Sequence, residues 1–208
     1  MSKDWTGNKN SVFKTLGASN HTEKERQSED YYATSPEAID RLRTACTIPH
    51  HVWECACGEG HLSKRLLSFG HSVFSTDLVG RGYGIPDHDF LMQTELPWSG
   101  AETADFCILT NPPYKLATEF VEHALMIAPY DYTPVFFLLK TTALEGKARR
   151  ERLFSKGYLH AIYQFSERLL CAKNGDFDGM KAGGGSAVAY AWFEFRRQKA
   201  QNTIIKWI

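Results

Sequence analysis

Asn111-Pro112-Pro113-Tyr114 is the run whose residue types converge most closely on one kind of chemistry. Two prolines in succession fix the backbone and remove two N–H donors, so the local carbonyls face outward as acceptors beside the Asn111 amide oxygen and the Tyr114 ring. Such a site grips a flat amine. A second run, Glu54-Cys55-Ala56-Cys57-Gly58-Glu59-Gly60, falls where a strand ends and a helix begins. Its small residues let the backbone approach a ligand, and the open N–H groups of the helix start favour polar or anionic groups. The third position of a dinucleotide fingerprint is Ser63 rather than glycine, which disfavours a nicotinamide cofactor. Asp77, 17 residues beyond Gly60 at the end of the next strand, is placed to accept both hydroxyls of an adenosine ribose. Asp89-Phe90 follows in a turn region, where it can meet an adenine edge.

These residues need a scaffold, and the apolar periodicity supplies one. Ser35-Pro36-Glu37 starts a helix that runs to about residue 45, because proline at the first helical position loses no hydrogen bond and an acid there suits the dipole. Strands are expected over His51 to Cys55, Ser72 to Asp77 and Ala104 to Thr110, with helices over Leu62 to Phe69 and Leu116 to Ile127. Val135 to Leu139 is continuously apolar, as in a strand buried on both faces. A basic helix from Lys147 to Ser155 precedes strands at His160 to Phe165 and Ala187 to Phe195. This alternation predicts an α/β fold, a mostly parallel sheet with helices on both faces. The last two strands have no apolar helix between them and are expected to form a C-terminal antiparallel hairpin. Their connection, Asn174 to Gly185, is long and Gly-rich, the kind of loop that often carries binding.

Composition excludes several classes. With 208 residues, 43% hydrophobic and 23% charged, the chain is neither disordered nor built on disulfides, and a single domain over residues 31–208 is expected after a mobile polar tail at 1–30. No apolar run approaches a membrane span and the N-terminus is polar, which points to a cytoplasmic protein with no membrane partner. The five cysteines show no framework spacing and read as free thiols. Paired His and Cys or acid spacing for a metal is absent, Asp176-Phe177-Asp178-Gly179 reads as a turn, and no G-x-S-x-G elbow supports a hydrolase. Net charge is zero, yet residues 1–139 carry minus 7 and residues 140–208 plus 7. Such asymmetry is compatible with a basic face for a polyanion.

At these motifs, from Tyr31 to Phe195, the chain resembles the class I S-adenosylmethionine-dependent methyltransferases. Within them it is most similar to the amino-methyltransferases with an N-P-P-Y motif, chiefly the DNA N6-adenine enzymes in the short form found in phages and prophages. Glu54 stands where the commoner residue is Asp, and Cys55 where many relatives have Pro. The resemblance implies a Rossmann-like fold and S-adenosyl-L-methionine as cofactor. It implies cofactor contacts from Tyr32, Thr34, Glu54, Ala56, Cys57, Gly58, Gly60, Asp77, Leu78, Asp89, Phe90 and Asn111. Asn111, Pro112, Pro113 and Tyr114 would be catalytic, on an adenine flipped out of its strand, with Tyr114 stacking on one face and Phe165 as the opposite wall. Lys147, Arg149, Arg150 and Arg152 would neutralise phosphates. Many relatives carry a separate target-recognition domain after the last strand. Here recognition is expected from loops, from the tail, or from a homodimer or partner subunit. The same motif also serves RNA adenine and the glutamine amides of release factors, and a non-catalytic subunit is a third reading. The positive charge after residue 139 leans toward nucleic acid.

Overall fold

Strands apolar along their whole length form the centre of the molecule, because helices cover the sheet on both sides. The computed structural model describes residues 32–96, 103–172, 175, 177–182, 186 and 188–208; the stretch expected as a tail lies outside the described residues. In chain order the elements are β1 (Ala33–Thr34), α1 (Glu37–Ala45), β2 (His51–Glu54), α2 (His61–Ser68), β3 (Ser72–Ser75), β4 (Phe106–Thr110), α3 (Ala117–Ile127) and β5 (Val135–Lys140). There follow α4 (Lys147–Arg152), β6 (Leu159–Gln164), β7 (Cys171–Ala172), α5 (Phe177–Ala182), β8 (Tyr190–Phe195) and β9 (Ile204–Trp207). The main sheet has the order β3-β2-β4-β5-β8-β6-β9. Only β8 runs antiparallel to its neighbours in it.

Period-two alternation divides the core between the faces. Cys107, Leu109, Phe136, Leu138 and Trp192 pack with Ile39 and Leu42 of α1 and Leu62 and Leu66 of α2. Phe106, Ile108, Val135, Phe137 and Phe193 pack on the other side with Phe120, Val121 and Ala124 of α3. The buried Trp192 indole donates to the Ala38 carbonyl at 3.0 Å, which ties α1 to the sheet through a satisfied polar atom.

The expected antiparallel pairing is present as β6 against β8, with Ile162 opposite Phe193. Three features differ from expectation. A further strand, β9, pairs parallel with β6. Two-residue strands β1 and β7 pair antiparallel beside the main sheet, with Thr34 opposite Cys171. The run read as a turn at Asp176 to Gly179 is in its described part the start of α5. The reason is common to the strands: each short piece is held by a distant partner rather than by its own periodicity. Among the described residues no helix is long and apolar enough to cross a membrane.

Candidate active site

The parallel strands β2, β3 and β4 end on one edge, and the segments that leave them enclose a cavity of about 430 Å³. Its lining includes Tyr32, Thr34, Glu54, Ala56, Cys57, Asp77, Leu78, Asp89, Phe90, Asn111, Pro112, Pro113 and Tyr114. Residues scattered over 83 positions of sequence thus share one cleft, of a size usual for small-molecule sites.

The glycine turn after β2 is shaped by backbone geometry. Gly58 and Gly60 both have positive φ, 55° and 77°, and a Cβ on Gly60 would run into the ring of Tyr83. Asp77 holds this turn from the neighbouring strand. Its Oδ2 accepts from the Gly58 N–H at 2.7 Å, and its Oδ1 accepts from the Val79 N–H at 2.8 Å and from Arg81 at 3.4 Å. A carboxylate has about four lone-pair sites, so the capacity left on Oδ2 suits one ribose hydroxyl more readily than two. Glu54 is fully buried and accepts from the Ser63 hydroxyl, which in turn lies 2.6 Å from the Ser75 hydroxyl. Burial pushes the Glu54 carboxyl up to about 8. Asp89 accepts from the Leu91 N–H at 3.0 Å and so caps the short 3-10 helix Phe90–Met92, while the Phe90 ring packs at 5.2 Å on Trp53.

Asn111 leaves β4 and meets the small β1–β7 sheet. Its Nδ2 donates to Thr34 Oγ1 at 2.8 Å and to the Tyr32 carbonyl at 3.4 Å. A carbonyl can only accept, so this contact fixes which end of the amide is nitrogen. The opposite end, Oδ1, is buried with no hydrogen-bond partner. Tyr114 stands next to it, its ring 6.0 Å from those of Tyr32 and Tyr190 and its hydroxyl also buried without a partner. Burial holds the Tyr114 phenol well above its usual range, so it is neutral.

Other expected site residues lie elsewhere. Phe165 packs in the core face shared with α1 and does not line this cavity, because it sits at the end of β6, two strands beyond β5. Tyr190 and Tyr32 flank Tyr114 instead. Of the basic helix, Arg149 donates to the carbonyls of Thr142, Ala143 and Glu145, closing the turn before it. Arg152 pairs with Glu119 and Glu122 of α3. Lys147 and Arg150 point outward. The described part of the loop at 174–185 returns to the cavity side, with Phe177 edge-on to His61 at 5.4 Å. Sequence reading missed His88, which lines the cavity with Nε2 buried and unpartnered. A lone histidine before Asp89 carries no motif, and only its placement reveals it.

No known protein family and no curated protein matches the sequence. Solved structures do resemble it. A type I restriction-modification methyltransferase subunit from Streptococcus thermophilus aligns over 86% of this chain and 48% of its own at a TM-score of 0.57 and 13% identity. A protein from Listeria monocytogenes assigned to the class I S-adenosylmethionine-dependent methyltransferases aligns over 95% and 71% at 0.54 and 11%. The 23S rRNA methyltransferase ErmE aligns over 83% and 72% at 0.50 and 14%. This chain therefore spans about half the length of the restriction-modification subunit. Order of strands, the single antiparallel member and these likenesses together establish a methyltransferase-like α/β fold, Rossmann-like in layout.

Proposed function

We propose that the protein transfers a methyl group from S-adenosyl-L-methionine to the exocyclic N6 of adenine in DNA, in the manner of the short phage-type enzymes with an N-P-P-Y motif. The observation that carries this reading is the Asn111 amide, oriented by Thr34 and the Tyr32 carbonyl so that a buried, unpartnered Oδ1 is left as an acceptor at the cavity wall. An orphaned buried acceptor is costly in a folded protein and is explained when a ligand N–H completes it.

The cavity fits the cofactor. Asp77 would hold the ribose, Phe90 and Leu78 would flank the adenine, and Ala56 and Cys57, at the start of the glycine turn, would lie along the amino-acid end beside Glu54, whereas Gly58 and Gly60 shape that turn without lining the cavity. The unpartnered His88 Nε2 adds one more polar contact. When bound, the cofactor supplies an electrophilic methyl group, so that a C–N bond forms as a C–S bond breaks and the surplus N6 proton leaves to solvent. The chain's own part is positioning and fixed dipoles. An adenine amino group is a poor nucleophile because its lone pair is delocalised into the ring. Asn111 Oδ1 and the Pro112 carbonyl would each take one of its hydrogens and draw the nitrogen toward tetrahedral geometry. Tyr114 would carry the flipped base on its ring.

Nucleoside mass spectrometry of DNA and RNA from cells expressing the wild type or Asn111→Ala tests this directly. N6-methyladenine is expected in DNA with the wild type, and loss of one such acceptor is expected to reduce transfer about 10²–10³-fold. Methyladenine confined to RNA would favour the second reading, which the likeness to an rRNA methyltransferase supports. Methylation of a glutamine amide with neither nucleic acid modified would remove the nucleic-acid assignment.

A further inference from the structure

We propose that Lys140 is the cation that receives the phosphate of the acceptor nucleotide, and that it covers Tyr114 until the base arrives. This rests on the nucleic-acid reading above. Lys140 is the last residue of β5 and stands opposite Tyr190, the first of β8. Its stem therefore leaves the same sheet edge as Asn111, one strand along. The ammonium lies over the Tyr114 ring, 4.3 Å from its centre. Among the described residues no carboxylate pairs with it, whereas Arg41, Arg152 and Arg197 all reach acidic partners.

A partly buried ammonium without a counter-charge is a site for an anion. Its hold on the ring is weaker than a charge-assisted hydrogen bond to phosphate, so the exchange is downhill once a phosphate is within reach. Tyr32 and Tyr190 flank the Tyr114 ring, each at 6.0 Å and tilted by 31°. A base stacking on the face that Lys140 covers must displace the ammonium. On its flexible four-carbon stem the displaced group stays close to the phosphate attached to that same nucleotide. A glutamine amide brings no phosphate, so Lys140 also separates the two kinds of acceptor.

The test uses a single-stranded adenine oligonucleotide with wild type, Lys140→Met and Lys140→Arg. For Lys140→Met, KM is expected to rise about tenfold with kcat changed less, and the slope of log affinity against log salt to shrink by about 0.7, one single-strand phosphate contact. Lys140→Arg should keep the wild-type slope. A neutral methylphosphonate beside the target adenine should weaken the wild type to the Lys140→Met level and leave Lys140→Met unmoved. Calorimetry with S-adenosylhomocysteine, expected to be unchanged in Lys140→Met, shows that the variant is folded. An unchanged salt slope, additive effects of the methylphosphonate and the substitution, or tighter binding by Lys140→Met would each overturn the proposal while oligonucleotide methylation by the wild type stands. A wild type that methylates only a glutamine peptide would instead overturn the nucleic-acid reading, and Lys140's role with it.

Discussion

Glu54 is a carboxyl whose environment opposes its charge: it is 2% exposed, and its close partner is a hydroxyl rather than a cation. Because burial raises it to about 8 in the folded chain, its contribution to stability is fully present below the ordinary carboxylate range and is lost as pH rises through about 8. Thermal melts from pH 5 to 9 should therefore show wild type falling relative to Glu54→Gln, by on the order of a few kcal/mol at the alkaline end. A cationic amine bound beside this carboxyl would draw its proton off. Cofactor affinity is accordingly expected to rise with pH up to about 8 and to release a proton, seen as buffer-dependent binding enthalpy; Glu54→Gln should bind more weakly and without the pH trend. Thr34 acts one step further out. It is the 2.8 Å acceptor that orients Asn111, so Thr34→Val is expected to lower kcat about tenfold while Thr34→Ser retains most of it. Equal losses in both variants would mean that the methyl group, not the hydroxyl, matters there.

Elements with strong periodicity were legible from sequence because their own residues decide them. Val135–Leu139 and Phe106–Thr110 are buried throughout, and α3 shows its Phe120, Ala124 face. The glycine turn after β2 was legible for a different reason, since positive φ at Gly58 and Gly60 leaves few residue choices. Gly60→Ala tests that local demand: it should sharply weaken cofactor binding, and adding Tyr83→Ala should recover only part, since the space is restored but φ near 77° is not. Complete recovery would make the Tyr83 contact the sole constraint. What sequence could not disclose was set by partners far along the chain. Strand β1 exists because Cys171–Ala172 pairs with it, and through it Thr34 reaches Asn111. Phe165 looks like any aromatic at a strand end, and only the position of β6 in the sheet order removes it from the cavity.

The charge division along the chain is in part folded against itself. Basic residues of the second part meet acids of the first: Arg152 with Glu119 at 2.9 Å and with Glu122, Arg197 with Asp131 at 2.8 Å, and Glu167 with Arg41 in the opposite sense at 3.2 Å. These pairs tie α4 to α3 and the segment after β8 to the turn before β5, and they neutralise Arg152 among the four basic residues of α4, while Arg149 is spent on backbone carbonyls. Lys147 and Arg150 remain outward, with Lys147 only 3.9 Å from Glu151 at a highly exposed site. Removing the outward pair by Lys147→Ala with Arg150→Ala should reduce the salt dependence of oligonucleotide binding by on the order of one ion per strand while leaving the melting temperature nearly unchanged. Arg152→Met should do the reverse, leaving the salt slope intact and lowering the melting temperature, more at low ionic strength than in molar salt because exposed ion pairs are screened. If Arg152→Met weakened nucleic-acid binding as much as the outward double substitution, the phosphates would have to reach past Glu119 and Glu122, and α4 would have to part from α3 when the strand binds.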